Sequence, residues 1–221
     1  MADLLYRWPA AAKFGRRVPK EKLYAQSSVT PAVREKFVSE VQRITWSYKL
    51  AESTINLPGS PEVPEIQVFQ LDAKKEDVSE QVLLAIDKAI PFPIIFEILR
   101  DDRTGQSVRM VAAHKQLGTG RSQLSDYFST GWQSVHTERR TLPTTITLPN
   151  LYTALLAPLM PVTVRPGEDM LGISARLNIV GTLEREIAAL KRKLSAELQL
   201  NRKIEIHRAL KAKQAELEQQ R

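Results

Sequence analysis

The chain of 221 residues contains no cysteine. That removes disulfide cross-links, thiolate metal sites and cysteine nucleophiles together. Histidine is nearly as scarce: His114, His136 and His207 stand far apart, and no HExxH spacing or acidic calcium loop accompanies them. No metal site is therefore expected. Glycine occurs only nine times and forms neither a Walker loop nor a dinucleotide fingerprint, so no cofactor is expected either. Gly118-Thr119-Gly120-Arg121 could cradle a phosphate with its amides, but such a pair reads more naturally as a surface loop. No GxSxG elbow is present, which leaves a serine hydrolase without a foothold. Long apolar runs are also missing. The longest, Leu151 to Val164, is broken by Pro158 and Pro161 and is too short to cross a bilayer. The start, MADLLYRWPAAAKFGRR, lacks the apolar core and cleavage site of a secretory signal. The expected location is the cytoplasm, with no membrane partner.

What is present is an ordinary globular composition, 43% hydrophobic and 26% charged, with a net charge of +7. The surplus permits an anionic partner, although it also serves solubility. Residues 1–30 read as irregular and basic, with Tyr6, Trp8 and Phe14 among the cations. Lys13, Arg16, Arg17 and Lys20 are the candidate nucleic-acid contacts, because cations neutralise phosphate while neighbouring rings stack on bases. A solvated arm is the competing reading. Thr30-Pro31 opens a helix. Phe37, Val41, Ile44 and Tyr48 follow at spacings of four, three and four, which extends that helix to about Lys49.

Residues 65–71, EIQVFQL, read as a strand covered on both faces. Asp77 and Glu80 resemble a capping box ahead of a helix lined by Val78, Val82, Leu83, Ile86 and Ile90. A strand over 93–99 follows, and strand, helix, strand at this separation predicts a parallel crossover. DDRTG then turns the chain into a strand over 106–115, and 127–135 supplies one more. The expected fold is α+β or α/β: a small mixed sheet with flanking helices over residues 1–150, carrying a basic N-terminal arm.

Residues 151–173 form a proline-punctuated connector, and 174–221 form a coiled-coil or helical-hairpin tail. Val180, Leu183, Ile187, Leu190 and Leu194 keep a heptad spacing, and such a stripe needs a facing helix. The partner is the second half of the tail, another copy of the chain, or a helix of another subunit. The imperfect match of Ile204, Ile206, Leu210 and Leu217 favours an intermolecular partner. Lys191-Arg192-Lys193 and Arg202-Lys203 lie among Glu184, Glu186 and Glu197, where charges commonly set helix pairing.

One catalytic arrangement has partial support. Restriction-type nucleases hold a metal between two carboxylates, with Lys or Gln two residues further along the same strand to position water. Glu65-Ile66-Gln67 has that spacing, but only Glu52 and Glu62 precede it, and no aspartate-bearing strand does. Glu65 and Gln67 then read as solvent-side residues at a strand start.

Several phrases carry a resemblance: VPKEKLY at 18–24, EKFVSEVQRITWSYKL at 35–50, STIN at 53–56, EIQVFQL at 65–71, IDKAIPFPIIFEI at 86–98 and QLNRKIEIHRAL at 199–210. In this order and spacing the chain resembles the bacterial family known as domain of unknown function 4391. The resemblance implies context rather than chemistry. Members tend to be encoded beside DEAD/DEAH-type helicases and site-specific DNA methyltransferases in restriction-like phage-defence clusters, and no catalytic residues come with it. Two functions follow as expectations. One is a non-enzymatic accessory subunit that binds DNA or a helicase or methyltransferase partner and assembles through its tail. The other is a divergent metal-dependent DNA nuclease using Glu65 and Gln67.

Overall fold

The computed structural model describes residues 4–26, 29–102, 105–117, 123–165, 167–168 and 170–221. The chain divides into two compact units, Met1–Met160 and Pro161–Arg221. The first is a mixed α+β unit. Its strands are β1 (Lys13–Arg17), β2 (Val41–Ala51), β3 (Glu65–Ala73), β4 (Ile94–Asp102), β5 (Gly105–Gln116), β6 (Gln123–Ser129) and β7 (Gln133–Ser134). They form one sheet in the order β1-β2-β3-β4-β5-β6, with β7 added to β5. Among the described strands only β3 and β4 pair in parallel, joined through α4 (Glu80–Ala89) as the crossover spacing requires. β4 returns into β5 antiparallel, down to the pair Asp102 and Gly105.

The helix expected over 31–49 stops early. Thr30 caps α2 (Pro31–Glu40), its hydroxyl accepting from Val33 N, and the chain then becomes β2. The spacing that suggested continued helix comes from a bulge. Val41 pairs with Ala73 and Arg43 with Asp72, so β2 carries one extra residue there. That phase shift turns both Val41 and Ile44 into the core although they are three apart. Residues 10–26 are also more ordered than expected: a 3-10 turn at Ala10–Ala12 leads into β1, and α1 (Lys20–Gln26) follows. The expected capping box is absent, because Ser79 holds the N-cap of α4. Asp77 instead accepts from Val78 N at 2.7 Å and from Arg109 at 2.9 Å.

Strand alternation explains the two layers. Phe69, Leu71, Phe96, Ile98 and Val111 face a core with Leu23 of α1, Phe37 of α2, and Val82, Leu83 and Ile86 of α4. The opposite face carries Glu97 and His114 and is covered by the Leu5–Trp8 segment and α5 (Leu148–Leu156). α5 belongs to the first unit, so residues 151–160 lie within it.

One lysine closes the end of the crossover. Lys115 on β5 has a fully buried side chain, and its Nζ donates to the backbone oxygens of Asp87, Ile90 and Phe92 at 2.8, 2.9 and 2.8 Å. The same ammonium lies 2.8 Å from the Asp87 carboxylate. The Asp87 and Ile90 carbonyls belong to the end of α4, where a helix leaves such groups without partners and a cation complements the macrodipole, and the Phe92 carbonyl belongs to the turn that follows. Tyr127 of β6 donates to the other Asp87 oxygen, and the Tyr152 hydroxyl accepts from Lys115 N and donates to Ala113 O.

The second unit is an antiparallel hairpin of α6 (Met170–Ala196) and α7 (Leu200–Gln220). Ile173, Val180, Leu183 and Ile187 are buried on α6, with Leu190 and Leu194 half-buried further along. On α7 the inward positions are Lys203, Ile206, Leu210, Lys213 and Leu217, a regular heptad whose polar members hid it. Ile204, read as part of the seam, is exposed. The seam thus has its facing helix within the same chain, where the sequence favoured an intermolecular one.

Three expectations follow. Replacing Lys115 by Met leaves Asp87 buried without its ion pair and strips three carbonyls, which costs about 3–5 kcal/mol. Urea unfolding should show a correspondingly lower midpoint, and adding Asp87→Leu should recover part of the loss. Burial holds the His114 imidazole below its ordinary 6.5, so the folded state disfavours the charged ring. That stability is present above 6.5 and is lost as the pH falls through the lowered value. The thermal midpoint should therefore drop between neutral and mildly acidic pH, and His114→Gln should shrink that drop. In the tail, replacing Leu183, Ile187 and Leu190 by Ser should remove helical circular-dichroism signal without changing the sedimentation coefficient expected of an unaltered assembly state. Dissociation of a wild-type dimer by the same replacement would place the seam between copies.

Candidate functional site

The basic N-terminal segment becomes an edge strand. β1 lies at one margin of the sheet and pairs with β2 alone, Lys13 opposite Tyr48, Arg16 opposite Trp46 and Arg17 opposite Thr45. The register shifts between Lys13 and Arg16, where Gly15 sits at φ +66°, a region costly for any other residue. The bulge leaves Lys13, Arg16 and Arg17 all exposed. Phe14 anchors the strand on Trp46, with ring centroids 4.0 Å apart, and Trp46 in turn stacks near Phe69 of the core. The Arg16 guanidinium lies 4.8 Å from the centre of the Phe14 ring, which fixes one cation over the strand.

Lys20 separates from this group. Its Nζ donates to Phe37 O at 2.7 Å and to Val41 O at 2.5 Å, closing the end of α2 where β2 begins. Burial, then the neighbouring Lys74 charge, pushes its ammonium below the ordinary lysine range. Three of the four sequence candidates thus share one exposed edge, and the fourth holds the fold.

Glu65 and Gln67 are buried, 8% and 3% exposed, rather than solvent-facing as their place at a strand start suggested. The reason is that Glu65 and Gln67 share the parity of Phe69 and Leu71 on β3, so they point to the core layer. The Gln67 amide donates to Glu65 Oε1, and Lys49 reaches Glu65 Oε2 at 2.8 Å. Lys49 escaped the sequence reading because its place opposite Gln67 depends on the bulged register of β2 on β3. Among the described residues, no three His, Cys, Asp or Glu side chains converge in a metal-holding group. The Gly118–Arg121 loop lies outside the described residues.

Two further networks of buried charge, around Asp87 with Lys115 and around Glu97, have no spacing signature. Asp87 is pushed up by burial, against the opposing influence of Lys115, and Lys115 is pushed down by burial against Asp87. Glu97, in the middle of the opposite face, accepts from Trp8 Nε1 at 2.8 Å and from Arg139 at 2.6 Å. Arg139 also donates to Tyr6 O, which ties the start of the chain across the sheet. Burial raises the Tyr6 hydroxyl to about 12, so it stays protonated. Signals for these pairs exist only as isolated charges inside apolar strands, Glu97 in PIIFEIL and Lys115 in VAAHK.

Chemically, Glu65, Asp87, Glu97 and Lys115 all spend their charge on internal partners. The cations of β1 face outward beside an aromatic stack. That arrangement suits reversible contact with an anionic polymer better than bond making.

No curated protein and no solved structure matches the chain. A family model, described as Domain of unknown function (DUF4391), matches residues 7–217, which takes in β1, the whole sheet and nearly all of the hairpin. The chain belongs to that family.

Proposed function

We propose that the protein is a non-enzymatic accessory subunit of a restriction-like anti-phage system, acting in the bacterial cytoplasm beside a helicase or DNA methyltransferase. In this reading the β1 edge touches the phosphate backbone of duplex DNA. The exposure of Lys13, Arg16 and Arg17 along one strand carries the reading. Charge without a base-reading helix gives contact that is weak, sensitive to salt and indifferent to sequence. The tail enters the proposal as a surface for a partner rather than as an open seam, since its heptad face is closed in the hairpin.

A divergent nuclease is the second reading. It draws on the meeting of Lys49, Glu65 and Gln67, but one carboxylate provides too few ligands for a divalent ion.

Fluorescence anisotropy with a labelled duplex tests the first reading. Three phosphate contacts give a slope of log affinity against log salt of about −3. Replacing Lys13, Arg16 and Arg17 together by Gln should flatten that slope. Lys20→Gln should lower the melting temperature and leave the slope alone. Affinity unchanged from low to high salt would rule the phosphate contact out. Incubation of the same duplex with Mg²⁺ or Mn²⁺ should leave it intact; cutting that disappears in Glu65→Gln would establish the nuclease instead.

A further inference from the structure

The turn of the α6–α7 hairpin differs from its open end. Among the described residues, the exposed large hydrophobics include Leu198 at 91%, Leu200 at 71% and Ile204 at 44%, all within seven positions of the turn. Exposed aliphatics scattered singly need no explanation, but three gathered around one helical turn do.

Cations surround this cluster. Lys191, Arg192 and Lys193 lie on the last turns of α6, and Arg202, Lys203 and Arg208 on the first turns of α7, against only Glu197 and Glu205. The Glu197 carboxylate is used in closing the turn, accepting from Leu198 N at 2.9 Å and Gln199 N at 3.0 Å. Among the described residues none of the six cations takes part in an ion pair. At the other end the charges are matched. Glu186 pairs with Lys213 and Glu184 with Arg221, both at 3.0 Å, and Arg176 pairs with Glu168 at 2.6 Å. Arg176 also donates to Gln220 O, and Thr163 N to Arg221 O. The interhelical charge pairs therefore do not involve Lys191–Lys193 or Arg202-Lys203, whose interleaving with glutamates had suggested that role.

We propose that the hairpin tip is a peripheral membrane contact for an anionic bilayer. Leu198, Leu200 and Ile204 enter the boundary between headgroups and acyl chains, and the flanking lysines and arginines hold the anionic headgroups. A phosphate polymer would satisfy the cations but give the three aliphatic side chains no apolar surroundings. A lipid surface offers both within a few ångströms of depth. The absence of any long apolar helix among the described residues bears on spanning a membrane, not on resting against one. This contact is independent of the reading given to β1.

The test uses the full chain and its lack of cysteine. Leu198→Cys places a unique thiol at the tip for an environment-sensitive fluorophore, and the chain is floated with vesicles. With about one-third phosphatidylserine in phosphatidylcholine at low salt, partitioning should exceed that on pure phosphatidylcholine by about tenfold, with a blue shift of the label. Leu198→Asp with Leu200→Asp should cut partitioning about tenfold, since both apolar contacts are lost and two anions are brought to an anionic surface. Replacing Lys191, Arg192 and Lys193 by Ser should weaken it too. The helical circular-dichroism signal should persist in each variant, because the altered side chains are exposed. Lys13, Arg16 and Arg17 replaced by Gln should float as the wild type does. The proposal fails if the wild type ignores the anionic vesicles, or if the double aspartate variant floats equally well. It fails as well if the tip variants lose duplex DNA while vesicles remain unbound, which would make the tip a nucleic-acid interface.

Discussion

A single buried ammonium decides how the crossover helix sits on the sheet. Lys115 satisfies three backbone carbonyls around the end of α4 and one carboxylate of the same helix, from β5, the strand beside β4 in the sheet order. The free energy of a buried ion pair alone is a poor source of stability, because desolvation offsets attraction. Here the attraction is only part of the gain, since the carbonyls at the end of α4 would otherwise be left without donors. The pair therefore acts as a positional constraint. It sets where α4 ends, and so where the parallel strand β4 begins at Ile94.

The same logic sorts the charges described above in the first unit. Charges inside are fixed by backbone groups or by one another: Glu97 by Trp8 and Arg139, Glu65 by Lys49 and Gln67, and Lys20 on the two carbonyls where α2 meets β2. Charges on the β1 edge are left to solvent. An edge strand invites pairing with other chains unless charge or a bulge discourages it, and β1 has both. The cations proposed to meet phosphate thus also keep the sheet from growing. The hairpin divides its charges along its length instead: ion pairs stand toward the open end, whereas at the turn six cations share the field of Glu197 and Glu205 without a direct ion pair among the described residues.

How much of this could be read beforehand depended on whether a signal was local. β3, α4, β4 and the β4–β5 hairpin were legible because each has its own periodicity and its own stop, such as Pro91 after α4. The α2–β2 boundary was not. A bulge imitates helical spacing, and only the pairing of Val41 and Arg43 with β3 reveals the extra residue. Glu65 and Gln67 were found as a pair, yet their burial and their contact with Lys49 needed the register. Lys115 and Asp87 are 28 positions apart, and no spacing rule joins them. The second half of the tail stood among the possible partners of the seam but ranked below an intermolecular one, because lysines occupy two of its heptad positions, where the long aliphatic stem of the side chain can lie along the seam while the ammonium reaches outward.

These constraints also limit what the DNA reading can ask of the molecule. Three cations on one bulged strand can set orientation along a duplex, but base edges are read by side chains that enter a groove. β1 offers Arg16 already held over Phe14 and Lys13 on the other side of the bulge, a spacing fixed by Gly15 rather than by any base step. Sequence recognition would then have to come from elsewhere in the assembly. In the proposed assembly that recognition is assigned to the methyltransferase or the translocating helicase, with no further groove contact asked of this chain. A weak, general grip is the property such an arrangement needs, because a tight one would stall a moving partner. The buried charges set the geometry of the β1 edge itself, by holding β2 and the N-terminal segment where that edge can form.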